Sequence, residues 1–120
     1  MPDPSDVYIG VDIGGTKVAA GLVNTQGKIL HKTRTPMHAR GTAEEALGCV
    51  RAAIDAIRAE HPDVQVGGIG LISPGPVDPQ TGMVLNPSNL PCWQNYPLAE
   101  EIRKIYELPT HVHNDAKPGH

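Results

Sequence analysis

Two apolar, β-branched stretches open the chain, and a pair of glycines separates them. Residues 7–13 and 18–23 are rich in Val and Ile, and Gly14 and Gly15 lie between them. This pattern predicts a β-hairpin with a tight turn. After a second predicted turn at residues 24–27, residues 28–35 alternate between apolar and polar side chains. They predict a third, antiparallel strand, and its mixed polarity favours an edge position in the sheet.

A helical period replaces the alternating one in the middle of the chain. Thr42 and Glu45 have the spacing of a capping box, and His61 followed by Pro62 predicts the end of the helix. The apolar residues between these points fall on one helix face: Leu47, Val50, Ile54 and Ile57. A second, shorter helix is predicted after Pro97, with its buried face formed by Leu98, Ile102 and Ile105.

The segments around the second helix predict further strands. Residues 64–72 are apolar and rich in glycine, which predicts a buried strand parallel to the first. Residues 73–79 contain too much proline for a helix or a central strand and predict a loop. Short strands are predicted at residues 83–85 and 110–113. Three antiparallel strands, a helix and then a parallel strand are the opening order of a ribonuclease-H-like α/β fold.

Composition and charge argue against several classes of function. The 120 residues carry a net charge of −3 without a basic run, which argues against nucleic acid and anionic membranes as partners. No apolar stretch is long enough for a membrane span, and residues 1–6 lack the character of a secretory signal, so a cytoplasmic protein is expected. Cys49 and Cys92 have no metal-binding spacing and predict two free thiols.

The predicted hairpin turn combines groups that suit a phosphate ligand. Asp12 interrupts an apolar strand, where an unpartnered carboxylate costs free energy. Backbone amides at Gly14 and Gly15, the Thr16 hydroxyl and the Lys17 ammonium could cradle a triphosphate, while Asp12 could hold Mg²⁺ through water. The turn is neither a P-loop, because Thr16 and Lys17 stand in the reversed order, nor a dinucleotide-binding fingerprint. An ordinary Gly-Gly hairpin remains the alternative.

A second group of polar residues ends the last predicted strand. Asn114 and Asp115 follow residues 110–113 and would face the same crevice as the loops after Ile72 and Leu85. A carboxylate there could take a proton from a sugar hydroxyl, and the amide could orient neighbouring hydroxyls. The alternative is a helix cap or a turn, for which Asn and Asp are the usual residues. Trp93, the only tryptophan, is expected to anchor its loop.

Four segments in order resemble the ROK family of sugar kinases, within the actin/hexokinase/Hsp70 superfamily. They are residues 12–17, residues 73–78 with Thr81 and Gly82, the Asn89, Leu90 and Trp93 loop, and residues 114–116. The resemblance implies a mixed sheet of three antiparallel and then parallel strands, with helices packed on it. It also implies ATP-dependent phosphoryl transfer to a hexose hydroxyl, at the 6-position of glucose or of an N-acetylhexosamine.

The resemblance assigns roles to individual residues. It implies that Asp115 is the catalytic base. The substrate contacts that it implies are Gly75, Pro76, Ser88, Asn89 and Asn114. The contacts that it implies for ATP phosphates and Mg²⁺ are Asp12, Gly14, Gly15, Thr16 and Lys17.

The end of the chain departs from the family pattern. An Ala-rich helix normally follows the catalytic segment, whereas residues 117–120 are Lys-Pro-Gly-His, and the second lobe with its adenosine site and zinc motif is absent. Residues 1–120 are therefore expected to form a single amino-terminal lobe, truncated after the catalytic residues and inactive alone. A hexose and a nucleotide are the expected partners, with a homodimer left open. A sugar-sensing regulator of the same family and a non-catalytic fragment are the alternatives, although only six residues precede Val7, where a regulator carries a helix-turn-helix.

Overall fold

Alternating strands and helices make up the chain. The computed structural model describes residues 7–24, 29–38, 40–87 and 90–114. The elements in chain order are β1 (Val7–Ile13), β2 (Lys17–Val23), β3 (Ile29–Pro36), α1 (Ala43–Glu60), β4 (Val66–Ser73), β5 (Val77–Asp78), β6 (Met83–Val84), α2 (Leu98–Tyr106) and β7 (Thr110–Asn114). The predicted turn at residues 24–27 lies largely outside the described residues.

One mixed sheet organises the molecule. Its strand order is β3-β2-β1-β4-β7. β2 is antiparallel to both β1 and β3, whereas β4 runs parallel to β1 and β7 runs parallel to β4. The predicted ribonuclease-H-like order is confirmed, and β3 occupies the predicted edge.

A separate two-stranded ribbon interrupts the region predicted to be a loop. β5 and β6 pair in antiparallel fashion through Val77 with Val84 and Asp78 with Met83. The prediction of β6 is confirmed, but the prediction that residues 73–79 are entirely loop is wrong at β5. The prolines at 74, 76 and 79 flank the two paired residues, so the pairing needs no amide hydrogen from a proline.

Helix α1 begins at the predicted capping box. The Thr42 side-chain oxygen accepts a hydrogen bond from the Glu45 amide at 3.0 Å, and Glu45 Oε1 accepts one from the Thr42 amide at 2.8 Å. The two bonds satisfy amides that the first helical turn leaves without intrahelical partners. The helix ends at His61, as predicted, and its predicted apolar face is buried.

Both helices cover the same face of the sheet. Ile9, Val11 and Ile13 alternate along β1 and are at most 2% exposed. Helices α1 and α2 also contact each other, because the Tyr106 hydroxyl donates to Asp55 Oδ1 at 2.8 Å. Within the described residues, neither helix has the length and apolar character needed to cross a bilayer.

The opposite sheet face is open in the described part of the chain. Tyr8 and Ile72, which lie on it, are each 43% exposed. The prediction that residues 64–72 form a buried strand therefore holds for one face only. Ile69 and Leu71 face the helices and are buried, while Ile72 points to the other side because side chains alternate along a strand.

Trp93 anchors the loop before α2, as predicted. Its side chain is fully buried, its indole Nε1 donates to the Ala43 carbonyl at 3.3 Å, and its ring stacks on Tyr96 with centroids 5.4 Å apart. These contacts fix the loop that leads out of β6 against the first turn of α1.

Candidate functional site

The carboxyl ends of three parallel strands lie at the same end of the sheet. Asp12 of β1 is in register with Ile72 of β4, and the next residue of β4, Ser73, is in register with Asn114 of β7. Neighbouring strands lie about 4.8 Å apart, so the ends of β1 and β7 are separated by about 10 Å. This end of the sheet therefore brings together three features: the hairpin turn, the segment after Ser73, and the last residue of β7, Asn114.

The hairpin turn is closed by its own backbone. The Gly14 amide donates to the Lys17 carbonyl at 2.9 Å, and the Thr16 carbonyl accepts from the Met37 amide at 2.9 Å. The amides of Gly15 and Thr16 have no hydrogen-bond partner within the described part of the chain. The side chains of Thr16 and Lys17 are exposed. Two amides, a hydroxyl and an ammonium group are thus available to an anion at this turn, while the Gly14 amide is already used.

The turn does not depend on a left-handed backbone. Among the glycines in the described ranges, the one with a positive φ is Gly82, at 74°. At Gly14, an added Cβ would lie 3.3 Å from the Lys17 carbonyl oxygen. Tight backbone approach, and not positive φ, is therefore what this turn requires of Gly14.

Asp12 lies on the open face of the sheet, one residue before the end of β1. Its side chain is exposed, and it lines a shallow cavity of about 210 Å³ together with Lys32 and Ile72. A solvated carboxylate is the kind of oxygen donor that Mg²⁺ takes, with water completing the shell. Its exposure therefore fits an ion held through water.

The segment that follows β4 is held by neighbours on two sides. Ser73 is fully buried, and its hydroxyl donates to the Pro74 carbonyl at 3.2 Å. The Pro76 carbonyl accepts from the Leu85 amide at 3.0 Å, and the Val77 amide donates to Asn114 Oδ1 at 2.6 Å. The Gly75–Pro76 peptide is cis. Gly75 and Pro76, two of the five residues predicted to contact substrate, therefore lie directly beside another of them, Asn114.

Three predicted site residues lie outside the described residues: Ser88, Asn89 and Asp115. Their described neighbours are Pro87 and Leu90, which are both buried, and Asn114, which is exposed. The roles predicted for these three residues remain predictions.

Burial raises the pKa of two side chains near Trp93. Burial is the main cause that raises the pKa of Tyr96 to about 12, with smaller effects from Glu101 and Glu44. Burial also raises the pKa of the Cys92 thiol. Both groups are neutral at physiological pH, so Cys92 lacks the thiolate that a nucleophile needs. Cys49 and Cys92 are free thiols, as predicted.

Sequence reasoning missed one participant at this end of the sheet, the backbone amide of Val77. It gives Asn114 a partner within the protein. The sequence carries no signal for this contact, because every residue except proline has the same amide and the contact spans 37 positions.

Comparison with known proteins agrees with the geometry. The model of the ROK family matches residues 8–119. The chain is 37% identical over 110 residues to a glucokinase from Streptomyces coelicolor, covering 90% of this chain and 32% of the relative. It is 32% identical over 109 residues to an N-acetylmannosamine kinase from Salmonella typhimurium, covering 91% of this chain and 36% of the relative.

A solved structure gives the same result. The chain superposes with a TM-score of 0.81 and 34% identity on a ROK family glucokinase from Streptomyces griseus in complex with glucose and AMPPNP. The match covers 92% of this chain and 33% of that one. The chain thus spans about a third of the length of the proteins that it matches.

Proposed function

This chain belongs to the ROK family, and from that premise we propose that it is the phosphate- and sugar-contacting lobe of an ATP-dependent hexose kinase. The main support for the proposal is that the hairpin turn and Asn114 lie at the same end of the sheet. The hairpin turn and Asn114 end parallel strands that are two positions apart, about 10 Å from each other. A phosphoryl donor and a sugar acceptor bound at these two points would be neighbours.

The hairpin turn is the proposed phosphate side. The amides of Gly15 and Thr16, which have no hydrogen-bond partner in the described ranges, would bind phosphate oxygens together with the Thr16 hydroxyl and the Lys17 ammonium, as nests of backbone donors do. Gly14 would help to form the tight turn and would not bind phosphate itself, because its amide already donates to the Lys17 carbonyl. Asp12 would hold Mg²⁺ through water, and the bound ion supplies neutralisation of the charge that develops on the phosphates.

The segment after β4 and the end of β7 form the proposed sugar side. Gly75, Pro76 and Asn114 would contact the hexose, together with Ser88 and Asn89. Asp115 would accept the proton of the attacking hydroxyl while the hydroxyl oxygen bonds to the γ-phosphorus and ADP leaves. Phosphoryl transfer depends mainly on positioning and charge stabilisation, so the rigid strand ends suit this chemistry.

The proposal concerns one lobe of a larger site. Proteins that match this chain are about three times its length. We therefore assign to residues 1–120 the phosphate and sugar contacts, and to a second lobe the adenosine contacts and closure over the sugar. The glucokinase and N-acetylmannosamine kinase relatives support a hexose acceptor, with its 6-hydroxyl as the proposed nucleophile.

A chimera tests the proposal. Residues 8–119 would replace the aligned segment of the Streptomyces coelicolor glucokinase, and ADP formation would be followed with ATP, Mg²⁺ and either glucose or N-acetylmannosamine. The expected result is sugar-dependent ADP formation. Gly48→Ala in the chimera is the matched control, because Gly48 is exposed on α1 with open space around its Cβ position. A chimera that is folded by circular dichroism and forms no ADP with either sugar contradicts the proposal.

A further inference from the structure

The Asn114 side chain joins the last strand of the sheet to the β5–β6 ribbon. Its Oδ1 lies 2.6 Å from the Val77 amide nitrogen. A backbone amide only donates, so the side-chain atom that faces it must be the oxygen. The orientation of the Asn114 amide is therefore fixed by chemistry, and Nδ2 is the atom that remains free of Val77.

The same side chain occupies the space beside Gly75. A Cβ added at Gly75 would lie 2.7 Å from Asn114 Nδ2 and 2.8 Å from Cγ and Oδ1. Such distances are shorter than side-chain contacts allow, so a larger residue at position 75 requires the Asn114 side chain or the backbone at position 75 to shift. A shift of the Asn114 amide would weaken its bond to Val77, so Gly75 and Asn114 are closely fitted to each other.

The segment between Gly75 and Val77 packs in the core through Val77, and Asn114 gives it a hydrogen bond to β7. On its far side the Pro76 carbonyl accepts from the Leu85 amide, which belongs to the stretch following β6. β5 itself pairs only with β6 within the described residues. The bond from Val77 to Asn114 therefore adds a directional link between the ribbon and β7 to the packing of Val77 in the core.

We propose that Asn114 is a positioning residue that holds the Gly75–Val77 segment against β7, and that it contacts a bound sugar through the hydrogens of Nδ2. The Val77 amide takes one of the two lone pairs of Oδ1 and leaves both Nδ2 hydrogens free of Val77, so these hydrogens are the donors proposed for a lone pair on a sugar hydroxyl oxygen. The statement that Asn114 donates to the sugar (the donor statement) rests on the proposed function. The statement that Asn114 holds the Gly75–Val77 segment (the positioning statement) does not.

Amide hydrogen exchange on the 120-residue chain tests the positioning without a ligand. A net hydrogen-bond contribution of about 0.5–1.5 kcal/mol corresponds to about 2- to 10-fold in exchange rate. Asn114→Ala should accelerate Val77 exchange by that factor. Asn114→Asp keeps an oxygen at the same point and should restore slow exchange. Gly75→Ala should resemble Asn114→Ala.

Two references make this experiment specific. The Ile69 amide, which donates to the Pro109 carbonyl at 2.8 Å, reports general loosening of the sheet and should not change. Gly48→Ala controls for the addition of a methyl group and should leave Val77 exchange unchanged. Val77 exchange that is the same in wild type and Asn114→Ala overturns the positioning statement.

Singly fluorinated glucoses test the donor statement in the glucokinase chimera. Fluorine on carbon accepts a hydrogen bond weakly and cannot donate one, so an Asn114 that donates to the sugar through Nδ2 tolerates it where a carboxylate does not. At one ring position, Asn114→Asp should raise the KM of the fluorinated sugar about 2- to 10-fold more than that of glucose. Equal effects at every position overturn the donor statement. A wild-type chimera without any activity would instead count against the proposed function and leave the exchange result standing.

Discussion

Gly82 provides the sharpest test of how the ribbon is docked. It has φ of 74°, its amide donates to the Asp78 carbonyl at 2.8 Å, and its carbonyl accepts from the Ala99 amide at 3.3 Å. A Cβ at this position would overlap the Cβ of Ala99. Gly82→Ala therefore meets two penalties at once, a left-handed backbone and a side chain of α2.

The expected loss of stability follows from these two penalties. A left-handed backbone costs a residue with a Cβ about 1–2 kcal/mol. Overpacking a methyl group against a buried neighbour costs about 1–3 kcal/mol. The sum is about 2–5 kcal/mol, against a folding free energy of about 6–18 kcal/mol expected for a domain of this length.

Urea unfolding followed by the fluorescence of Trp93 measures this loss. Trp93 is the only tryptophan and is fully buried, so its emission reports the packing of the loop beside α1. With an m-value of about 2 kcal/mol/M, the midpoint should fall by about 1–2.5 M. Gly48→Ala should instead stabilise the chain by about 1 kcal/mol, since it adds a better helix former at an exposed site with free space. A Gly82→Ala variant as stable as wild type would refute the packing argument.

Three further predictions address the cap, the isolated lobe and the turn. The hydrogen bond from the Thr42 amide, followed by the interaction with the Thr42 side chain, lowers the pKa of Glu45 below its usual 4.5. The stability that this carboxylate contributes is therefore present above pH 4.5 and is lost as the pH falls below that value. Glu45→Gln should accordingly flatten the fall in urea midpoint between about pH 5 and pH 3, and an unchanged slope would contradict this. Residues 1–120 alone should release no ADP on addition of glucose and ATP, because half a site cannot position both substrates; turnover by a preparation free of contaminating kinase would contradict it. Gly15→Val in the chimera should raise the KM for ATP steeply while circular dichroism stays unchanged, because a branched side chain enters the proposed phosphate space, and unaltered ATP kinetics would leave a plain hairpin.

Local patterns in the sequence were sufficient to predict most of the fold. The Thr42 and Glu45 spacing, the alternation in β1 and the glycine pair each determine a structure through neighbours close along the chain. The same holds for α2, which begins directly after Pro97 and buries Leu98 and Ile102, whereas Ile105 of the predicted face is only partly buried. Such features need no knowledge of tertiary contacts.

Features that depend on distant contacts could not be predicted. β5 exists because Val77 finds Val84, and Asn114 is oriented by an amide 37 residues away. The open sheet face was also missed, because apolar glycine-rich strands read as buried on both faces whether or not a second layer is present. At the candidate site, sequence therefore predicted that Asp12 and Asn114 end neighbouring parts of the sheet, but not that Gly14 and Asn114 already have partners.

In the proposed function this lobe carries the base of the phosphoryl transfer, and Asp115→Asn in the glucokinase chimera removes that base alone. The amide keeps the size of the side chain but cannot accept the hydroxyl proton, so kcat at saturating glucose and ATP should fall by about 10²- to 10⁴-fold. The KM for glucose should change far less. Asp63→Asn, at an exposed position after α1, is the matched control and should leave kcat unchanged. Because Asn caps a helix about as well as Asp, a variant with near-normal kcat would mean that Asp115 is a cap and would contradict the account.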